Sequence, residues 1–306
     1  MIARRLPLVL EDYGVSVQNG FLPDEFPLQK LPDPYYDSWE AIMAHLPALL
    51  HSRQARKEID ELAVLSTSYL RSEREWQRAY SILGFLTHSY MWCGENPAEV
   101  LPMAVSIPFL EVSSHLDLPP IATYAGTNLW NFAPRSKDVP LSVPENLRLL
   151  HTFTGTRDEE WFVGIAIAMD ARCADIIPVM LDAIDAAKDG DSLAVEKSLL
   201  AFEACARDLG NLLERLYELC DPYVFYYQIR PFLAGSKNMA VAGLPNGVFY
   251  DEGEGVGSWR QYSGGSAAQS SLIQFLDAVL SVDHNATGEL KDDGNAVARK
   301  GGYLLV

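Results

Sequence analysis

Cysteine is scarce in this chain, and the few present have no pattern. Cys93, Cys173, Cys205 and Cys220 stand far apart in 306 residues, without the paired spacing of a disulfide framework or a zinc site. A reducing, cytoplasmic setting is therefore the expectation. Positive charge is short as well, with 24 Lys and Arg against 41 Asp and Glu and a formal net charge of −17. Nucleic acid and anionic membrane surfaces both demand cations facing them, so neither is an expected partner. No apolar run approaches the ~20 residues of a membrane-spanning helix. The longest, WFVGIAIAM at 161–169, ends at Asp170. Arg4 and Arg5 precede only a brief apolar patch before Asp12, with no small-residue cleavage site, so no secretory leader is read there.

The common catalytic signatures are missing too. The six histidines, His45, His51, His88, His115, His151 and His284, form no HxxxH or HxH pair, and HExxH is absent. There is no GxSxG elbow and no Walker loop. The glycines of GEGVGS at 253–258 sit among Asp251, Glu252 and Glu254, which would repel phosphate, so a mobile surface loop is expected there. His45 and His88 fall within helical patterns and read as structural. His284 ends an apolar-periodic segment, where a cation would act as a cap.

What the chain does have is helical periodicity. Hydrophobic residues at 48% and charged residues at 21% suit a globular protein. Apolar side chains recur at the 3.6-residue period over 38–52, with a break at Pro47, and again over 56–72 and 74–92. A proline-bearing stretch occupies 97–120, and DLPP at its end marks a hard turn. Long amphipathic helices are expected at 158–186 and 191–219, and a shorter one at 222–235. The fold class read from these is all-α. The two-proline segment RSKDVPLSVPENL suggests a boundary between a small N-terminal domain with an extended arm, 1–135, and a large helical domain, 136–306. The last 22 residues lose periodicity and finish on an apolar YLLV, which reads as a chain cut short.

Two stretches carry candidate chemistry. QYSGGSAAQSSLIQFLDAVL, 261–280, sets Gly264, Gly265 and Ser266 directly before an apolar-periodic helix, so free N–H groups converge there. YVFYYQIRPFLAGSK, 223–237, puts five aromatic residues beside Arg230, which falls five positions after Phe225. Arginine grips a carboxylate with two parallel hydrogen bonds. Taken together, the two stretches suggest a pocket for a flat molecule bearing a carboxylate, although on pattern alone Arg230 also reads as a surface arginine.

Longer passages resemble the indoleamine 2,3-dioxygenase family. FLPDEFPLQKLPDPYYDSWEAIMAHLPALL is similar to its N-terminal passage, and VLPMAVSIPFLEVSSHLDLPPIATYA to its VLP, IPF, LPP and YA segment. TFTGTRDEEWFVGIAIAMDA, IRPFLAGSKN and NGVFYDEG with QYSGGSAAQSSLIQFLD follow in the family order. The resemblance implies an all-α enzyme of a small and a large helical domain that uses heme b and O₂ to open the indole ring of L-tryptophan or a related indole, giving N-formylkynurenine. It implies that Arg230 holds the substrate carboxylate, that Phe162 and Phe225 press on the indole, and that Tyr124, Thr127 and Asn128 close the inner end. Ala166 and Leu233 would add to the substrate pocket. Gly264, Gly265, Ser266 and Ala267 would pass along the heme edge, glycine being required because side chains would collide with the porphyrin. No side-chain catalytic base is implied. The family's proximal histidine, the axial iron ligand, comes several tens of residues after the GGSA loop, and no histidine of this chain stands at the matching position, so the metal ligand stays unassigned. A shortened or diverged relative that binds an indole without oxidising it, or serves a structural or regulatory role, is the alternative reading.

Overall fold

A computed structural model describes residues 9–282. In its first long helix, α1 (Asp37–His51), Trp39, Ile42, Met43, Leu46 and Leu50 fall at helical spacing and all are buried. Pro47 lies inside this helix instead of breaking it. Because proline has no N–H to offer four residues back, the carbonyl of Met43 loses its helical partner. α2 (Ala55–Asp60) is shorter than the periodicity suggested, and only a single turn at Thr67–Tyr69 follows it. α3 (Glu73–Trp92) is the centre of the first core, with 14 of its 20 residues buried. The proline-bearing stretch holds a helix, α4 (Met103–His115), with Pro108 inside it, where the carbonyl of Ala104 goes without its helical partner.

After two short strands, β1 (Val100–Leu101) and β2 (Phe132–Pro134), and a third, β3 (Leu147–Leu149), helices take over again. α5 (Arg157–Arg172) starts at Thr156, whose side chain accepts from the Glu159 N–H, and three acidic residues occupy its first turn. The expected helix over 158–186 is in fact two, because the chain turns after Arg172 before α6 (Ile176–Asp189) begins. α6 stops at Gly190, whose φ of 74° is a left-handed cap that glycine adopts without strain. α7 (Ser192–Glu214) and α8 (Leu216–Leu219) lead to α9 (Pro222–Val224), a π-helical turn Phe225–Ile229 and α10 (Arg230–Leu233). The GEGVGS segment is the turn of a hairpin between β4 (Val248–Gly253) and β5 (Val256–Arg260), not a mobile loop. β4 also pairs in parallel with β1, which ties this late segment to the N-terminal half. α11 (Ser271–Leu280) closes the described chain.

Helices dominate, and the strands make only two small sheets, one of order β1-β4-β5 and one of β2-β3, so the fold is of the all-α type. Three buried clusters hold it. The largest gathers α1 to α4, joined by Phe153, Leu244, Val248 and Tyr250 from later in the chain. A second joins α6 and α7 through Ile176, Met180, Phe202 and Leu209, with Leu272 of α11. The third sets Val163, Ile167 and Ala168 of α5 against Leu22, Phe132 and Leu147. α5 thus stands between the first helices and the last, with one face left for a cavity. No helix among the described residues is long and apolar enough to cross a membrane.

Candidate active site

A cavity of about 390 Å³ opens beside α5, within the size range of small-molecule sites. Its walls come from four separate parts of the chain. The inner end begins at Tyr124 and the π-helical turn Ala125–Leu129, where Thr127 and Asn128 are buried. Thr127 Oγ1 lies 3.0 Å from the Thr123 carbonyl and 2.8 Å from Asn128 Oδ1. Asn131 braces this end: its Nδ2 donates to the Thr127 and His151 carbonyls at 2.9 Å, and its Oδ1 accepts from the His151 N–H at 2.9 Å.

Tyr124 is held from both sides. Its hydroxyl donates to Asp170 Oδ2 at 2.7 Å, and its N–H donates to Gln269 Oε1 at 3.0 Å. Ser270 Oγ reaches the other Asp170 oxygen at 3.2 Å. The carboxyl of Asp170 is fully buried, and burial raises its pKa to about 7 against the pull of its two hydroxyl donors. The same burial, with the Asp170 charge beside it, lifts the Tyr124 hydroxyl well above its usual value.

On α5, Phe162 and Ala166 lie one turn apart and both face the cavity. Phe162 meets Phe225 with ring centroids 4.6 Å apart at 43°. Phe225 and Arg230 share a wall because of the π turn, in which the Arg230 N–H donates to the Phe225 carbonyl. In a regular α-helix, residues five apart point about 140° away from each other. The wider turn draws them toward one side. Arg230 is exposed, rests on Tyr226 with its guanidinium 5.1 Å from the ring, and has no carboxylate partner among the described residues. Leu233 completes this wall.

The fourth wall is the Gly265–Ser266–Ala267 run. Gly264, assigned to the heme edge by resemblance, does not line the cavity, and its lack of a side chain has a cause within the protein. A Cβ there would lie 2.0 Å from the Leu233 carbonyl oxygen and 2.6 Å from the Gly235 nitrogen. Gly235 is crowded in return, its own Cβ position being 2.3 Å from Gly264 N. Two backbones cross here, and both need glycine. At Gly265 a Cβ would make only ordinary contacts, 3.5 Å or more from the 122–124 backbone. The N–H groups of Gly265 and Ser266 donate to nothing among the described residues.

Of the residues singled out in the sequence, Tyr124, Thr127, Asn128, Phe162, Ala166, Phe225, Arg230, Leu233, Gly265, Ser266 and Ala267 stand around this one cavity. Phe85, Asn131 and His151 line it too and carried no motif to reveal them, while Phe153 and Glu159 lie in the TFTGTRDEEWF passage but were not singled out. Glu159 is spoken for, accepting from the N–H groups of Phe153 and Thr154 at 2.8 and 2.7 Å. The Met43 carbonyl, released by Pro47, favours a proton on the His151 ring. Burial and the Arg78 charge oppose that and keep the imidazole well below its usual pKa, hence neutral. Its Nε2 is shut off from solvent without a partner, as is Arg78 Nη1. His88, expected to be structural, uses both ring nitrogens, one 2.6 Å from the Phe232 carbonyl and one accepting from Ala122 N–H at 3.2 Å. Burial lowers its pKa to about 4. His284 lies outside the described residues.

A heme fits part of this donor set. The free N–H groups of Gly265 and Ser266, with exposed Arg230, suit anionic groups, and the small side chains of Ala166 and Ala267 leave room for a flat one. No cluster of three or more His, Cys, Asp or Glu that could hold a metal occurs among the described residues, and neither His88 nor His151 presents an open nitrogen to the cavity. The described residues thus fit the periphery of the group and leave its iron ligand unassigned.

Fold and cavity define a helical protein with a small-molecule-sized cavity in which an aromatic pair and an exposed arginine stand together. The family model described as indoleamine 2,3-dioxygenase matches residues 9–304, and the chain belongs to that family of heme-dependent dioxygenases. It is 44% identical over 295 residues to the indoleamine 2,3-dioxygenase acdA of Aspergillus candidus, covering 95% of this chain and 73% of that one. To the indoleamine 2,3-dioxygenase of Saccharomyces cerevisiae it is 40% identical, with 96% and 66% covered. To the 6-hydroxytryptophan 2,3-dioxygenase fscD of Fusarium equiseti it is 38% identical, with 90% and 68% covered. The chain thus spans roughly two thirds to three quarters of the length of these curated relatives.

Proposed function

We propose that the protein, carrying heme, inserts both atoms of O₂ across the C2–C3 bond of the indole of L-tryptophan or a close indole amino acid, giving N-formylkynurenine or its counterpart. The observation that carries this reading is the meeting, in one cavity, of an exposed arginine without a carboxylate partner and a tilted pair of phenylalanines. Arg230 takes the carboxylate as a two-pronged charged hydrogen bond. The Gly265 and Ser266 N–H groups, in the fourth wall of the same cavity, would serve a second anionic group. Phe162 and Phe225 hold the ring in place and keep water from it, and a fixed ring presents one bond to the oxidant. The heme, when bound, supplies the activation of O₂. No side chain is needed as a base on the α5 wall, where Ala166 offers no proton-accepting group.

Names of relatives keep the substrate range open, since one is named for a hydroxylated tryptophan. The test is to mix the purified, heme-loaded protein with reductant, O₂ and L-tryptophan or its ring-hydroxylated forms. Formation of the N-formylkynurenine-type product, with one O₂ consumed for each, supports the reading. Calorimetric binding of an indole amino acid without O₂ uptake would assign the protein to the non-oxidising alternative.

A further inference from the structure

The benzene ring of an unsubstituted tryptophan carries no hydrogen-bonding group, yet the inner end of the cavity where it would lie is polar. Thr127 has one hydroxyl hydrogen, and two acceptors stand within reach of it, the Thr123 carbonyl and Asn128 Oδ1. No donor among the described residues points at Thr127 Oγ1, so its lone pairs are left to the cavity. Asn128 presents the opposite deficit. Its oxygen faces Thr127, and its amide nitrogen carries two hydrogens that make no hydrogen bond among the described residues. A free acceptor and a free donor thus stand on adjacent residues of a single π-helical turn, both in the cavity wall.

We infer that this turn reads a hydroxyl on the benzene ring of the substrate, the group accepting from Asn128 and donating to Thr127, so that the preferred substrate is a ring-hydroxylated indole amino acid. The inference rests on the proposed function, since it presumes that the indole enters with its carboxylate at Arg230. A hydroxyl is the smallest substituent able both to accept and to donate. An unsubstituted ring would leave both protein groups unpaired, and sites built to bond a hydroxyl discriminate strongly against ligands lacking it. The other polar groups nearby are already accounted for. Asn131 and Glu159 are filled by backbone partners, and the lone nitrogen of His151 is closed off from the cavity beside Arg78.

The experiment is calorimetric titration of the heme-loaded protein with L-tryptophan and, separately, with each of its benzene-ring-hydroxylated forms. At least one hydroxylated form should bind about tenfold or more tightly than tryptophan, the size of one well-made buried hydrogen bond. Thr127→Val and Asn128→Leu should each bring that ratio near one, the loss falling chiefly on the hydroxylated form. Thr127→Ser, which keeps the hydroxyl, should preserve the ratio and guards against a variant that fails to fold. Arg230→Ala should weaken all the ligands alike. If tryptophan binds through Arg230 but no hydroxylated form is favoured, or the ratio persists in Thr127→Val and Asn128→Leu, the inference falls and the proposed function stands. Should the wild-type protein bind none of these amino acids, both fall together.

Discussion

Ala125–Leu129 and Phe225–Ile229 are both π-helical turns, and both stand in the wall of the cavity, one at its inner end and one at its mouth. Their surroundings differ sharply. At the inner turn Gly126, Thr127 and Asn128 are buried, and Tyr124 is pinned by Asp170 and Gln269. At the outer turn only Ile229 is buried, Tyr226 and Tyr227 are exposed, and Arg230 leans on a ring with no counter-charge among the described residues. The inner end is therefore shaped mostly by the protein's own bonds, with only Thr127 Oγ1 and the Asn128 amide left for a ligand, whereas the mouth keeps its donors for one. Substitutions inside, those two residues apart, should register in stability and pH dependence. Substitutions at the mouth should register in binding, except where two backbones touch.

That exception gives the largest expected effect. Gly264 and Gly265 are neighbours in sequence, but only the first lies at the crossing with Gly235. Gly264→Val would force a side chain into the Leu233 carbonyl and should cost about 3 kcal/mol or more in chemical denaturation. Gly265→Ala meets only ordinary contacts and should cost less than about 1 kcal/mol. Equal losses at the two positions would break the contrast between a structural and a cavity-facing glycine.

Arg230→Ala comes next and should separate binding from stability. An exposed arginine over a tyrosine ring contributes little to folding, so the melting temperature should stay within error. Loss of a charged, two-pronged contact to a carboxylate corresponds to about 2–3 kcal/mol, or roughly 30- to 150-fold in affinity for an indole amino acid. Calorimetry on the heme-loaded variant decides it, and an unchanged affinity would remove the carboxylate from this place.

These contrasts also mark what could be seen in the sequence. The helices that bury one face were legible, because residues such as Trp39, Ile42 and Leu46, or Leu209 and Phe202, repeat at the helical period. Helix boundaries set by proline were not. Pro47 and Pro108 both lie inside helices, since tertiary burial of their neighbours outweighs one lost backbone bond. The β4–β5 hairpin was hidden by its glycines and acids, which mark a turn but do not show the partner strand β1 some 150 residues earlier. For the cavity, motifs of the family pointed to the residues that line it from helices, while His151 and Asn131 were invisible. Their places depend on long-range bonds, such as the pair between the Asn131 amide and the His151 backbone, that no local pattern records. The crossing that requires glycine at Gly264 was also hidden, because a backbone crossing leaves no periodic trace.

Inside the protein, Asp170 should make stability fall as pH rises. Its folded pKa of about 7 lies above the ordinary value of 3.8, so the folded state holds a proton that the unfolded state has released. Between about pH 4 and pH 7 the native protein thus binds more protons, and unfolding free energy declines with pH across that window. Asp170→Asn keeps an acceptor for Tyr124 and cannot ionise. The difference between wild type and variant should change by on the order of 3 kcal/mol over the window in denaturation curves, in favour of the variant at the alkaline end. A difference that stays flat with pH would show that the carboxyl ionises in the folded state as it does in the unfolded chain.

The smallest effect is expected at Ala166, where inside and mouth meet. This half-buried residue faces the cavity from α5, one turn after Phe162. A serine introduced there can return its hydroxyl to the carbonyl four residues back, that of Phe162, so it need not project an unpaired group at the ligand. Ala166→Ser should therefore change stability by less than about 0.5 kcal/mol. It should leave turnover and the Michaelis constant for the indole within about twofold, a barrier change of under ~0.5 kcal/mol. A rise of tenfold or more in turnover with an unchanged Michaelis constant would mean that a hydroxyl at this point enters the transition state. The chemistry would then lean on a proton-handling side chain, and a cavity whose own residues only hold and orient the ring would be the wrong description of this enzyme.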